Sequence, residues 1–121
     1  MDARYQSTVD RFESEIAAGR VVIHRDASCS VAACFPDEYF DWIYIDGNHL
    51  YEFVLQDLRL YYPKVRAEGF INGDDYGLAG WWMDGVTQAV DEFVAEAGVE
   101  LTGIKNGQFV IRKKSPGFSS A

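Results

Sequence analysis

The chain has 121 residues, 48% hydrophobic and 15% aromatic, with a net charge of −8. That is enough for one packed domain and too apolar for a disordered chain. With 19 acidic against 11 basic residues and no stripe of Lys or Arg, nucleic acid and anionic membranes are poor partners. No apolar run approaches a membrane span, and Met1 to Tyr5 lacks a signal-peptide core, so the expected location is cytoplasmic.

Tyr5, Val9, Phe12 and Ile16 recur at helical spacing, and Gly19 is the expected stop. Arg20 to His24 reads as a strand, with His24 a structural residue at its end. Ser28 to Phe35 is expected to form one or two helical turns carrying Cys29 and Cys34. The spacing of these cysteines fits neither a redox pair nor a zinc knuckle, so both are expected as reduced, semi-buried thiols. Trp42 to Ile45 reads as a second strand, apolar on both faces, as a sheet covered by helices requires.

Leu50, Val54 and Leu58 mark a helix stripe flanked by Phe53 and Tyr61, and Pro63 ends it. Tyr51, Tyr61 and Tyr62 are expected to pack that helix. Gly69 to Asn72 reads as a third strand. Gly77 to Trp82 reads as a mobile aromatic loop, with Trp81 and Trp82 either a substrate lid or part of a subunit interface. Asp84 is the expected N-cap of a helix whose face carries Val86, Ala89, Val90, Phe93 and Ala97, ended by Gly98. Val99 to Ile104 and Gln108 to Arg112 form strands across Asn106-Gly107, a tight-hairpin dipeptide. Strands separated by helices imply parallel crossovers.

Two strands end abruptly in carboxylates: Asp46 closes one, and Asp74-Asp75 the other. In an open parallel sheet, ligands bind beyond the carboxyl ends of the strands. Three carboxylates there make a site for a divalent cation or for a hydrogen-bonded substrate. Any one Asp taken alone reads as a helix cap or turn residue; the three together favour a site.

Five segments in order resemble a known family. Arg25-Asp26-Ala27-Ser28 is similar to the Gly-Asp-Ser turn after the third strand of class I S-adenosylmethionine-dependent methyltransferases. Phe40 to His49 resembles that family's strand ending in Ile-Asp-Gly-x-Asp-His. Tyr51 and Asp57-Leu58 fit the helix after it. Glu68 to Tyr76 resembles the strand ending in Asp-Asp-Tyr, and Gly85 to Phe93 the helix after that one. The likeness runs from about Arg20 to Arg112 and is to the metal-dependent small-molecule O-methyltransferases, such as those acting on macrolide and aminocoumarin sugars. Catechol O-methyltransferase is a more distant relative.

The resemblance implies an α/β fold: a truncated Rossmann-like methyltransferase sheet of three parallel strands plus a C-terminal antiparallel hairpin, flanked by helices. Residues 1–113 would be one partial domain, and 114–121 a flexible tail. It implies S-adenosylmethionine as cofactor, with Asp26 and Ser28 at the adenine, and Mg²⁺ or another divalent cation on Asp46, Asp74 and Asp75; Asp26 and Ser28 read equally as N-caps of the short helix after the first strand. Relatives carry an Asp base two residues after the first metal Asp. Here that position is Asn48, an amide that cannot accept a proton in that way, and the neighbouring His49 is either the base or a metal-shell residue, or simply a loop histidine. The substrate would be a small hydroxylated molecule.

The family's first strand and glycine-rich cofactor turn do not occur among these residues. That leaves a second reading, a non-catalytic methyltransferase-like module that dimerises or binds a partner. It also leaves Trp42 to Ile45 an exposed edge, for which a homodimer, with or without exchanged elements, is expected, or else paired directly with Val21 to His24 in a five-stranded sheet. A receiver-like signalling domain fits the length and the acidic pocket, but its paired acids would follow the first strand.

Overall fold

The computed structural model describes residues 3–46, 50–77, 84–105 and 107–113. The expected loop at Gly77 to Trp82 falls largely outside them, as do Asn48, His49, Asn106 and the tail from Lys114. Helices α1 (Ala3–Arg11), α2 (Glu13–Ala17) and α3 (Ser28–Ala32) precede strand β1 (Phe40–Ile45). Then come α4 (Tyr51–Tyr61), β2 (Val65–Gly73), α5 (Gly85–Ala97), β3 (Glu100–Lys105) and β4 (Gln108–Arg112).

The four strands form one sheet in the order β1-β2-β4-β3. β1 and β2 are parallel, joined through α4 as a parallel pair requires. β4 runs antiparallel to both β2 and β3. Across the β3–β4 turn Lys105 faces Gln108, and Gly107 takes a left-handed φ of 80°.

The core lies between one face of the sheet and the pair α4–α5. Leu58, Val65, Ala89, Val90 and Ile111 are fully buried there. The helical stripes supply Val54, Leu55 and Leu58 from α4, and Val86, Ala89, Val90 and Phe93 from α5. Pro63 sits in a single 3-10 turn, Tyr62–Lys64, that ends α4 and feeds β2. At its other boundary α5 begins after Asp84, whose side chain makes no capping bond, and stops at Gly98 with φ 67°.

Several expectations are corrected. Residues 21–25 join no strand ladder, and Val22 is 70% exposed. The sheet therefore has one parallel pair rather than three parallel strands. A β-branched run supplies strand propensity only; a ladder also needs a neighbour. The outer face of the sheet is not covered by the described helices either. Trp42, Tyr44 and Phe70 lie exposed on it, in register across Trp42↔Phe70.

β2 begins four residues earlier than its composition suggests. Glu68 takes a left-handed φ of 69°, and Lys113 brackets this kink through bonds with Glu68 and Gly69. A bulge of this kind hides the strand from period-two reading. The N-terminal helix breaks at Phe12. Both cysteines are exposed rather than semi-buried, because α3 buries only Ala32.

Candidate active site at the carboxyl ends of the parallel strands

Register builds this site. Ile45 pairs with Gly73, so Asp46 and Asp74 leave the sheet side by side. Their carboxylates and that of Asp75 bring ligand atoms within 4.8 Å of one another. Asp46 is exposed, and Asp74 and Asp75 are half-buried. Oxygens on one ion lie at most about 4.2 Å apart around Mg²⁺ and about 5.2 Å apart around Ca²⁺, twice the metal–oxygen distance. Small rotations or retained waters would fit the same oxygens to Mg²⁺. An all-oxygen, anionic donor set suits a hard divalent cation in either case.

The turn holding Asp74 and Asp75 is tied on three sides. Asp75 takes a left-handed φ of 64°, and its backbone N–H donates to Asp74 Oδ1 at 2.8 Å. Tyr76 donates its N–H to the Gly107 carbonyl at 2.7 Å, reaching the β3–β4 turn. Its hydroxyl donates to Asp91 on α5 at 2.7 Å. That bond, with desolvation and the Asp91 charge behind it, pushes the Tyr76 phenol up to about 12. Gly77 donates its N–H to Thr87 Oγ1 at 2.8 Å. A left-handed non-glycine residue persists where its surroundings over-determine it, as these bonds do.

Tyr44 belongs to the same neighbourhood. It lies two residues before Asp46 and so points to the same face of β1. Partial desolvation, then the charges of Asp74 and Asp46, push its phenol above the ordinary value. Gln108 Nε2 donates weakly to its hydroxyl at 3.4 Å. The i, i+2 relation to Asp46 was the available clue to Tyr44. Gln108 follows only from the β2–β4 pairing, which no local pattern encodes.

Asp26 and Ser28 divide. Asp26 is exposed, and its Oδ1 accepts the N–H of Ala27 at 2.8 Å, a local turn bond. Ser28 donates its hydroxyl to Asp57 Oδ1 at 2.6 Å, and Tyr61 donates to the Ser28 carbonyl at 2.6 Å. Burial pushes the Asp57 carboxyl up, and the Ser28 bond partly offsets it. Ser28, Asp57 and Tyr61 line a groove of about 370 Å³ between β1 and α4, which Asp46 also reaches. Ser28 and Asp46 thus share one groove, whereas Asp26 is not on its wall. Of the tyrosines expected to pack, Tyr62 meets Phe93 edge-on at 5.3 Å, and Tyr51 donates to Glu92. His24 meets the Phe35 ring at 5.5 Å, consistent with a structural role.

A family model described as a methyltransferase domain matches residues 2–76, more than half of the chain. The chain belongs to the methyltransferase-domain family. It is a class I S-adenosylmethionine methyltransferase-like protein. One curated relative, an uncharacterized protein of Acanthamoeba polyphaga mimivirus, is 41% identical over 56 residues, covering 46% of this chain and 25% of that one. A crystal structure of a Corynebacterium glutamicum protein superposes with a TM-score of 0.74 at 12% identity, covering 98% of this chain and 60% of that one. That likeness is one of fold. The O-methyltransferase NovP is 26% identical with a TM-score of 0.49, covering 62% of this chain and 31% of its own. The methyltransferase-like chain thus spans less than two thirds of each of these proteins. Among its described residues, no helix is long and apolar enough to cross a membrane.

For the family's cofactor the fit is partial. Asp26 and Ser28, the residues expected at the adenine, are both engaged within the chain. For a cation the fit is fuller, since three carboxylates converge.

Proposed function

We propose that this methyltransferase-like domain serves S-adenosylmethionine-dependent methyl transfer to an oxygen of a small hydroxylated molecule, with a divalent cation at Asp46, Asp74 and Asp75. The observation that carries this reading is the convergence of those carboxylates within 4.8 Å at the ends of two adjacent parallel strands, in a chain of this family.

Methyl transfer requires donor and acceptor to be held in line and close together. When bound, the cofactor supplies an electrophilic methyl group and the cation acidifies a coordinated hydroxyl. Asp46, Asp74 and Asp75 would fix the cation and hence the position of the acceptor oxygen. His49, three residues beyond Asp46 in the sequence, would take the acceptor's proton, with the Asn48 amide orienting the substrate beside it. Tyr44, whose phenol lies within reach of the charges of Asp46, Asp74 and Asp75, would donate a hydrogen bond toward the acceptor. Asp26 and Ser28 would meet the adenine once Ser28 exchanges its bond to Asp57.

The alternative is a non-catalytic module that keeps the fold and the cation site. The mutual bond of Ser28 and Asp57 favours it, because it occupies a hydroxyl the cofactor would need. Calorimetric titration of S-adenosylmethionine into the purified chain, with and without Mg²⁺, separates the two. Micromolar binding strengthened by Mg²⁺ supports the enzyme, and assays on hydroxylated acceptors follow. A folded chain that binds no cofactor rejects autonomous catalysis and leaves the module.

A further inference from the structure

Asn72 stands on β2 between Tyr44 of β1 and Val110 of β4. Ile71 before it turns into the core, so Asn72 belongs to the outer face of the sheet. Its Oδ1 is buried and meets no hydrogen-bond donor among the described residues. Strands favour β-branched and aromatic residues, and asparagine is depleted in them. A buried acceptor without a donor lowers stability, whereas an apolar side chain of the same shape would not. An orphan of this kind in a native sheet points to a bound water or ion, or to a catalytic role.

Its surroundings belong to the candidate cation site. Side chains two apart on a strand share a face, so Asn72 leads directly to Asp74. Tyr44 lies beside Asn72 in register and leads in the same way to Asp46. On the other flank Phe109 faces Gly73, which puts Gln108 level with Asp74. Gln108 Nε2 donates to the Tyr44 hydroxyl at 3.4 Å, and β2 lies between their two strands. That bond therefore spans the stretch from Asn72 to Asp74. The orphaned oxygen is already enclosed within this chain, so a further polypeptide segment cannot supply its donor. A water is small enough to do so, and two polar partners suffice to hold it.

We infer that Asn72 is a positioning residue of the cation site, holding the Asp74 carboxylate in its ligating orientation through one buried water. The water donates one proton to Asn72 Oδ1 and the other to Asp74. A carboxylate has acceptor sites for this besides those taken by an ion and by the Asp75 N–H. The Tyr44 hydroxyl keeps its own proton for the acceptor. Partners behind a metal ligand fix its orientation and tune affinity without touching the ion. The inference rests on the cation reading of Asp46, Asp74 and Asp75 and deepens it, since it names what aligns one of the three.

Calorimetric titration of Mn²⁺ into the full chain tests it, paired with urea denaturation of each variant. Asn72→Leu keeps the shape and removes the acceptor, and Asn72→Val does the same with a smaller, strand-favouring side chain. Both should bind Mn²⁺ about tenfold or more weakly, while their urea midpoints stay level or rise. Opposite movement of affinity and stability is what a merely structural asparagine would not produce. Val110→Leu alters packing on the other side of Asn72 and removes no polar atom, so its affinity should match wild type. A wild type that binds no Mn²⁺ overturns the cation reading and this inference with it. Affinity that falls in Asp74→Asn but holds in Asn72→Leu and Asn72→Val overturns this inference alone. So does a loss in Asn72→Leu that Val110→Leu reproduces, which would make it an effect of packing.

Discussion

Gly73 lies against Ile45 across the parallel ladder so closely that a Cβ at position 73 would stand 2.9 Å from the Ile45 carbonyl oxygen and overlap the Phe109 ring. This contact sets the spacing of the two strands where they end. Because Asp46 and Asp74 are the next residues on each, it also sets the separation of their carboxylates. One glycine thus links core packing by Phe109, itself 1% exposed, to the geometry of the candidate cation site.

Gly73→Ala should therefore cost both stability and site geometry. Neither the backbone of Ile45 nor the buried Phe109 ring can yield cheaply, so a loss of about 1–3 kcal/mol is expected, as for other overpacked cores. Urea denaturation with an unchanged slope would report it as a lower midpoint. Divalent cation binding should weaken in the same variant while it remains folded. Wild-type stability would mean the strands separate freely there.

The carboxylates themselves can be removed singly. Asp46→Asn and Asp74→Asn each take one charge from the cluster, and Mn²⁺ affinity, followed by calorimetry, should fall by about tenfold or more. Asp37→Asn removes an equal charge at a remote exposed carboxylate paired with Lys64 and should leave affinity unchanged. Equal effects at all three positions would mean the ion answers only to net charge.

Much of this arrangement was legible in the sequence, for identifiable reasons. The stripes Val54–Leu58 and Val86–Val90–Phe93 announce α4 and α5, since one face of each is buried and the other is wet. The carboxylates after Ile45 and Gly73 read as a site because they end apolar strands. Illegible features depend on neighbours. Whether Val21 to His24 is a strand depends on a ladder partner, which its composition cannot supply. The bulge at Glu68 and Gly69 owes its shape to Lys113 and Asp41, remote in sequence. Gln108 comes near Tyr44 only through sheet order, and Ser28 meets Asp57 only through the packing of α3 on α4.

Alkaline pH offers a separate test of the turn after Asp75. The Tyr76 phenol is raised from 10.0 to about 12, chiefly by its bond to Asp91. Between these values the unfolded chain has lost the proton and the folded chain keeps it. Stability therefore falls as pH rises through that window, and the contribution is fully present below pH 10. Tyr76→Phe should be less stable near neutrality and should lack this Tyr76-linked part of the alkaline decline, as thermal melts across the range would report. An identical decline in the variant would mean that other phenols carry it, Tyr51 and Tyr44 being the first to examine.

Leu58 and Arg59 are adjacent on α4 and should behave as opposites. Leu58 is 0% exposed, within the core between the sheet and α5. Leu58→Ala removes that packing and leaves a void its neighbours only partly fill, at about 2–5 kcal/mol. Arg59 reaches across to α5, its guanidinium donating to Glu96 at 2.7 and 2.8 Å and to Glu92 at 3.4 Å. The geometry is good, yet the Arg59 side chain is 50% exposed, and water screens and competes with such pairs. Arg59→Ala should cost at most about 1 kcal/mol, and added salt should shrink even that difference. Chemical denaturation in urea, which leaves ionic strength unchanged, measures both. A large loss in Arg59→Ala with a small one in Leu58→Ala would mean that α4 and α5 are held together by their charged rim rather than by the apolar seam beneath it.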